Sequence, residues 1–349
     1  MDATPLRCRH VRTRAPGQGD RRCHATPRCG DLGHEWVLHA AGNSGRPVGR
    51  CRHRHPPDAE RRGLRLRRRL GAVRCRRHDG SSAVAVSGRA ALPLILLPPS
   101  EAKAVGGTAA SWTPGTMALD LDEVRLEVLV ALEHAMRRPE AERRALLGVK
   151  GSALELATAA NRDVRTSPTL PAMERYTGVL YDALDVGTLP AMSRRRLSRC
   201  VLVFSGLWGA VSPSDPVPDY KLKMGASLSP VGRLARRWAE PLTAAIEPLT
   251  AGRRVWNLLP NEHDGAWRPR CDVEQVTVEF VEPGRDGRPV TVAHWNKLLK
   301  GSLVRHLLAE PTTAPEDLAH WEHPEGFRYD ARRCRSEHDR MVVVMSRGL

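Results

Sequence analysis

Lysine and isoleucine are almost missing from these 349 residues. Six Lys stand against 49 Arg, and Ile occurs only at Ile95 and Ile246. Arg, Ala, Gly and Pro have GC-rich codons while Lys and Ile do not, so the coding sequence is GC-rich. Long hydrophobic runs are absent as well. The longest, Ala90–Leu97 (AALPLILL), contains Pro93 and falls far short of the ~20 apolar residues that span a bilayer as a helix. It runs straight into PPSEAK without a small-residue cleavage site, so a buried strand is expected there in preference to a secretory leader. Beyond residue 90 the only cysteines are Cys200, Cys271 and Cys334. So sparse and odd a set excludes a disulfide scaffold and fits a reducing compartment, so a cytoplasmic location is expected. No G-x4-G-K-[ST], no G-x-S-x-G and no H-E-x-x-H occurs there, which removes the P-loop, the nucleophile elbow and the zincin motif from consideration. No internal repeat is visible.

The formal charge is +16, but it is unevenly placed. Residues 1–90 hold 21 Arg, no Lys and 7 acids, a balance of +14; residues 91–349 hold 34 basic and 32 acidic residues, a balance of +2. The first segment shows neither helical nor strand periodicity and has almost no aromatic residue to seed a core. It reads as a disordered Arg-rich extension. The expectation is a start codon assigned too early, with Val84 or Val86 as the true start. A zinc module built from Cys8, Cys23, Cys29, Cys51 and Cys75 with nearby histidines lacks the close Cys pairs such sites use. A basic nucleic-acid arm ranks below the early-start explanation.

The roughly 258 residues from Leu92 onward suffice for one domain with a real core. Leu92–Leu97 predicts a buried strand ending at Pro98-Pro99. Helices are expected over Leu121–Arg137, Pro139–Leu147 and Ser152–Ala160, the last capped by Ser152. Ala172–Asp185 is expected as one helix and Ser193–Arg199 as a short basic one, followed by a strand at Cys200–Phe204. A long Pro/Gly loop covers 211–230, and Val231–Glu247 forms an amphipathic helix. Strands follow at Arg254–Leu259, Val276–Glu282 and Pro289–His294. A helix at Trp295–Leu308 and a final strand at Arg340–Met345 complete the chain. Strands interleaved with helices specify a mixed α/β domain: one compact mixed sheet flanked by helices.

Four segments carry polar groups a fold alone would not require. PPSEAK places a hydroxyl, a carboxylate and an amine just beyond a buried strand, where α/β sheets bind ligands; by itself it reads equally as a solvated turn. RYTGVLYDAL holds two of the four tyrosines, with Arg175, Gly178 and Asp182 expected on one helix face. FSGLWGAVSPSDPVPDYKLKMG sets Ser205, Asp215, Tyr220 and Lys221 after another buried strand. HWNKLLKGSLVRHLL opens a helix with Asn296, Lys297, Lys300 and Gly301, and Arg305 follows one turn on; cations and free N–H groups at a helix start suit phosphate.

Taken in this order, LLPPSEAK, ERYTGVLYDAL, FSGLWGAVSPSDPVPDYKLKMG and HWNKLLKGSLVRHLL resemble the YaaA family of bacterial peroxide stress proteins, from about Leu94 to Val344. The resemblance implies resistance to hydrogen peroxide, restraint of free intracellular iron, and DNA binding. It also implies a mixed α/β fold with a basic cleft and a helix-hairpin-helix element. Carried onto this chain, the cleft comprises Ser100, Glu101, Lys103, Arg175, Tyr176, Tyr181, Ser205, Asp215, Tyr220, Lys221, Lys297 and Lys300. The hairpin candidate is LLGVKGSALELA, Leu146–Ala157. There Gly148 and Gly151 present backbone N–H groups and Lys150 adds charge. With Lys297, Lys300 and Arg305 these form the expected contacts to DNA. Ala102 stands where the family usually has Gly, Ser212 where a basic residue is common, and Asn257 where Asp often begins a segment.

The leading expectation is therefore a protein that binds double-stranded DNA without reading sequence and limits iron-driven damage. No cofactor, no metal and no membrane contact are expected, and a monomer is the working expectation. The alternative is an enzyme acting on a nucleic-acid base or nucleotide, with Glu101 as general base and Lys103, Lys297 or Arg175 steadying a phosphate or oxyanion. Convergence of Glu101, Lys103 and Lys297 in a closed pocket would favour it.

Overall fold

The computed structural model describes residues 91–348 apart from 286, 293–295 and 338–339. The expectations for residues 1–90 lie outside the described residues. The chain enters through β1 (Leu94–Leu97), then passes through α1 (Asp122–Met136), α2 (Glu140–Leu147) and α3 (Ser152–Arg162). The short β2 (Leu170–Pro171) leads into α4 (Ala172–Arg175), α5 (Val179–Leu184) and α6 (Ala191–Cys200). Next come β3 (Val201–Ser205), β4 (Gly209–Val211), β5 (Pro216–Val217), β6 (Ser227–Leu228) and β7 (Gly232–Arg233), and then the long α7 (Leu234–Thr250). The last part contains β8 (Val255–Asn257), β9 (Gln275–Pro283), β10 (Pro289–Thr291), α8 (Asn296–Ala309), β11 (Arg328–Tyr329), β12 (Arg335–Glu337) and β13 (Arg340–Ser346).

The central sheet runs β11-β13-β9-β8-β1-β3-β4. Its inner strands, from β13 to β3, are mutually parallel, and β4, β10, β11 and β12 add antiparallel edges. This is the mixed sheet flanked by helices that the sequence specifies. The parallel interior explains the unbroken apolar runs LILL and VLVF. A parallel strand covered on both faces has no solvent side on which to place polar residues, and all four residues of β1 are buried. From β1 the chain steps to β3 on one side, then returns past β1 to lay down β8, β9 and β13 on the other. The strand order therefore reverses between β1 and β8. Such a switch point opens a crevice beyond the carboxyl ends of the two strands.

One expected element is wrong in a way that matters. Ala172–Asp185 is not a single helix; it breaks at Tyr176–Gly178 into α4 and α5. Tyr176 is extended, and Gly178 sits at φ 95°, a conformation open to glycine. The break is stabilised from far along the chain. Ala104 N–H donates to Arg175 O at 2.9 Å, Thr177 N–H donates to Ala102 O at 3.3 Å, and Lys103 bridges Tyr176 in antiparallel register. PPSEAK and RYTG are thus bonded to each other, and Arg175, Gly178 and Asp182 do not share one helix face. The amphipathic helix also begins later than expected. Gly232–Arg233 pairs with Ser227–Leu228 as a small hairpin, which delays α7 to Leu234.

Helix α8 lies directly on α5. A Cβ built on Gly301 would stand 2.2 Å from Leu180 O and 2.8 Å from the Ala183 Cβ. Glycine is therefore what lets the two helices approach and brings the first turn of α8 to the switch-point crevice. Gly301 belongs to this helix contact, within α8, and not to a phosphate-binding helix start.

Candidate functional site

A cleft of about 250 Å³ occupies the switch point. The loop leaving β1 supplies Ser100, Glu101 and Lys103, and the extended segment 220–224 supplies Tyr220, Lys221 and Lys223. The exit of β8 brings Glu262 and His263, and the first turns of α8 bring Asn296, Lys297 and Lys300. Five of the six lysines of the whole chain, all except Lys150, line this one cleft. Among the described residues no arginine does.

The lysines are held in different ways. Lys221 Nζ lies 3.2 Å and Lys223 Nζ 3.0 Å from the two Glu101 carboxylate oxygens. The hydrogen bond from Lys223, aided by Lys221, holds the Glu101 carboxyl below its ordinary value against the opposing effect of burial. A carboxylate so clamped is a weak base, so Glu101 anchors two ammonium groups and does not suit the role of general base. Lys300 Nζ donates to Leu258 O at 2.9 Å, tying α8 to the exit of β8.

Lys103 differs from the others. Its Nζ donates to Ser100 O at 3.1 Å and otherwise faces aromatic rings, 4.3 Å from the Tyr220 centroid and 5.8 Å from that of Tyr176. Burial pushes this amine down to about 8, with the charge of Asp219 opposing. Behind it runs a buried chain of hydroxyls. Tyr176 Oη and Tyr220 Oη are 2.9 Å apart, and Tyr220 Oη lies 2.7 Å from Ser205 Oγ. Ser205 Oγ already accepts from the backbone N–H groups of Leu207 and Trp208, at 3.3 and 3.0 Å. With both lone pairs engaged, its proton goes to Tyr220 Oη. Tyr181 Oη donates to Pro98 O at 2.7 Å and fixes the strand exit. Burial pushes Tyr220 up to about 12 and raises Tyr176 and Tyr181 well above the ordinary phenol range, so all three phenols are neutral near pH 7.

Two polar groups at the cleft have no hydrogen-bond partner among the described residues: both ring nitrogens of His263, and Asn296 Oδ1. His263 is 1 % exposed, and burial pushes its imidazole down to about 4. Buried polar atoms are rarely left unpaired, so these point to a ligand or ordered water carrying complementary groups.

A family model described as "Peroxide stress protein YaaA" matches residues 94–333. The chain belongs to the YaaA family. A UPF0246 protein of Streptomyces coelicolor is 39 % identical over 224 residues, covering 64 % of this chain and 85 % of that relative. One from Corynebacterium glutamicum is 33 % identical over 219 residues, 61 % of this chain and 84 % of its own. A more distant one from Flavobacterium johnsoniae is 26 % identical over 205 residues, 55 % of this chain and 79 % of its own.

Of the twelve cleft residues carried over from the YaaA family, Ser100, Glu101, Lys103, Tyr220, Lys221, Lys297 and Lys300 meet in the cleft. Tyr176, Tyr181 and Ser205 form the layer behind it through the bonds given above. Arg175 and Asp215 lie elsewhere. Arg175 is fully buried and donates to Val217 O at 2.9 Å, Gly106 O at 2.6 Å, Pro168 O at 3.3 Å and Ala104 O. Asp215 accepts from Ala118 N–H at 3.0 Å and Ser212 N–H at 2.8 Å. Both fasten loops to one another. Arg305 donates to Leu184, Asp185 and Thr188 carbonyls and caps the end of α5, not a phosphate. Gly148 and Gly151 are both left-handed and connect α2 to α3, with Lys150 exposed between them.

Sequence reasoning missed Lys223 and His263 as cleft residues, and singled out Asn296 at the helix start without placing it in the cleft set. Lys223 had a signal: from Tyr220 to Met224 every second residue is buried, so Lys221 and Lys223 must emerge on the same side. For His263 nothing in the sequence distinguishes a solvated histidine from a buried one. Among the described residues no group of three or more His, Cys, Asp or Glu is arranged to hold a metal ion, and no helix is long and apolar enough to cross a membrane.

Proposed function

We propose that this YaaA-family chain acts in peroxide defence as a cytoplasmic monomer that seats on double-stranded DNA without reading its sequence. The observation that carries the reading is the convergence of five ammonium groups on one cleft in a body whose net charge is only +2. Phosphates are the anions such a local patch suits, and contacts to phosphate position a protein without specifying bases. The α2–α3 connection supports the same reading. Asn161, near the far end of α3, bonds both backbone groups of Lys221, at 2.9 and 2.8 Å. The glycines at the near end of α3 are therefore about 14 Å away along its axis, at 1.5 Å per residue. That is a span of a few phosphates on one strand. Iron limitation is placed at the DNA, where a seated protein keeps iron and peroxide from meeting on the duplex.

The test is the salt dependence of binding to a short duplex, followed by fluorescence anisotropy, for the full chain and for Lys223→Ala, Lys297→Ala and Lys150→Ala. Each phosphate contact removed should flatten the slope of log K against log salt by about 0.9. The Arg-rich first 90 residues are common to all four proteins, so only the differences count. Slopes identical to the parent in all three variants would refute the cleft and hairpin as the DNA site.

A further inference from the structure

The cleft holds more chemistry than phosphate binding uses. Phosphate is met at least as well by the bidentate guanidinium of arginine as by an ammonium. Residues 91–349 hold 28 arginines and six lysines, yet among the described residues the cleft takes five lysines and no arginine. A guanidinium is never deprotonated in proteins, whereas an amine can become a neutral nucleophile. The selection of amines is therefore a selection for something an arginine cannot do.

Only one of the five is built for it. Glu101 is spent on Lys221 and Lys223. Lys103 has no ion pair among the described residues; one carbonyl and two aromatic faces surround its ammonium. These solvate a cation less well than water does, and burial lowers the cost of losing the proton, with Asp219 and Glu101 opposing and Lys221 and Arg175 assisting. Around this amine stand further ammonium groups and two buried groups without a hydrogen-bond partner among the described residues, Asn296 Oδ1 and the His263 ring, whose Nδ1 lies 3.8 Å from Glu262 Oε1; both can meet hydroxyls. At about 250 Å³ the space lies at the small end of ligand sites and suits one sugar with its phosphate.

We propose that Lys103 is an imine-forming residue that captures an aldehyde carried next to a phosphate. The neutral Nζ adds to the carbonyl carbon, a C–N bond forms, and the C=O π pair moves to oxygen, which is protonated. The two protons that nitrogen gives up go, net, to that oxygen; the C–O bond breaks with its pair on oxygen, water leaves, and the nitrogen lone pair completes the C=N bond of the imine, so no oxidant or reductant is consumed. Lys221, Lys223, Lys297 and Lys300 hold the phosphate, and the Tyr220 face shields the amine. Two sources share this chemistry: the ring-opened sugar of an abasic site in DNA, which radical attack on the sugar-phosphate chain produces, and a free phosphorylated aldehyde. The first rests on the DNA reading above; the second does not.

In the presence of sodium borohydride, which reduces an imine to a stable secondary amine, the full chain is incubated in separate reactions with a duplex containing one abasic site, with glyceraldehyde 3-phosphate, and with unphosphorylated glyceraldehyde. Adducts are weighed intact and located by peptide mapping, which also separates the chain's α-amine from its six lysines. The expected result is an adduct on Lys103, formed about tenfold faster with a phosphorylated probe than with glyceraldehyde, the factor of one charge-assisted phosphate contact. Lys103→Arg should lose it while keeping its circular dichroism spectrum and melting temperature. Capture of the duplex alone names the abasic site as the source, and capture of glyceraldehyde 3-phosphate alone names the free aldehyde. An adduct spread over the lysines, one that survives Lys103→Arg, or none at all overturns the proposal. Anisotropy with a borohydride-reduced abasic duplex separates the two readings: binding without capture overturns the imine and leaves the DNA reading standing. Capture of the small aldehyde without duplex binding does the reverse.

Discussion

Gly301→Ala tests the packing that assembles the cleft, because two opposed effects meet at that position and their magnitudes decide the sign. Alanine in the middle of a helix is worth about 0.5–1 kcal/mol over glycine through backbone entropy. Against this, the new methyl would lie 2.2 Å from Leu180 O, 2.8 Å from Ala183 Cβ and 3.1 Å from Leu180 C. Relief needs a displacement of roughly 1 Å to approach normal contact distances. The obstructing atoms belong to the backbone and to a β-carbon, so no rotamer change provides it and α8 must move off α5. Overpacking of this kind costs about 1–3 kcal/mol and occasionally more, and a rigid obstacle places this case at the upper end. The net expectation is a loss of about 2 kcal/mol. For a domain of this size that lowers the melting temperature by about 4–8 °C. Urea unfolding followed by fluorescence of the buried Trp208, Trp238 and Trp256 measures it. The displacement should also stretch the bond from Lys300 Nζ to Leu258 O and weaken duplex binding in the folded variant. A Gly301→Ala protein as stable as the parent, or more so, would refute the account of why α5 and α8 meet.

Two further substitutions probe the buried polar groups. The His263 imidazole titrates near 4 in the folded protein and near 6.5 when unfolded. The unfolded state therefore takes up the proton first, and stability present above pH 6.5 is lost as pH falls towards 4; the full interval amounts to about 3 kcal/mol. His263→Leu should remove that part of the acid sensitivity and cost little at pH 7, where it also removes two unpartnered nitrogens. Urea midpoints at pH 7 and 4.5 check this, and parallel losses in parent and variant would contradict it. Arg175→Met leaves the carbonyls of Ala104, Gly106, Pro168 and Val217 without their donor. It should cost about 3 kcal/mol or more, read as a lowered urea midpoint; an unchanged midpoint would show that the clamp contributes nothing.

Most of the fold was legible because its elements carry their own period. LILL and VLVFS have no polar residue to turn towards water until Ser205, and α1, α2, α3, α6 and α8 lie within a few residues of where apolar spacing puts them, although Gly151 and not the expected Ser152 is the N-cap of α3 and no side chain caps it. What escaped depends on partners distant in sequence. The helical pattern of 172–185 is real, but the backbone bonds of Ala104 and Thr177 recruit residues about 70 positions apart into a bridge that no local period announces. The hairpin of β6 and β7 is too short to show a period at all. At the site, the alternation that exposes Lys221 also exposes Lys223, so that residue was within reach. The burial of His263 was not, since it depends on how the exit of β8 lies against Phe204 and α7.

The misplaced residues share a chemistry, and it sharpens the reading of the cleft. Arg175 and Arg305 look like phosphate ligands in sequence because they sit among glycines and other cations. A planar guanidinium carries five donors in a fixed fork, and this protein spends them on backbone carbonyls that loops and helix ends leave unpaired. Arg175 serves four such carbonyls and Arg305 three. Arg125 serves Leu119, Trp208 and Ala210, while Arg253 serves Leu92, Pro93, Arg199 and Leu249. The ammonium of lysine, a compact charge on a flexible stem, makes a poorer clamp: Lys103 and Lys300 each hold one carbonyl by the bonds given. Among the described residues these four guanidiniums fasten the fold, while five of the six amines line the cleft. For these residues the cation's identity, arginine or lysine, separates loop fastening from cleft lining better than position in a motif does. A chain so short of lysine makes the separation visible, because the sequence cost of keeping an amine is highest where arginine is the default.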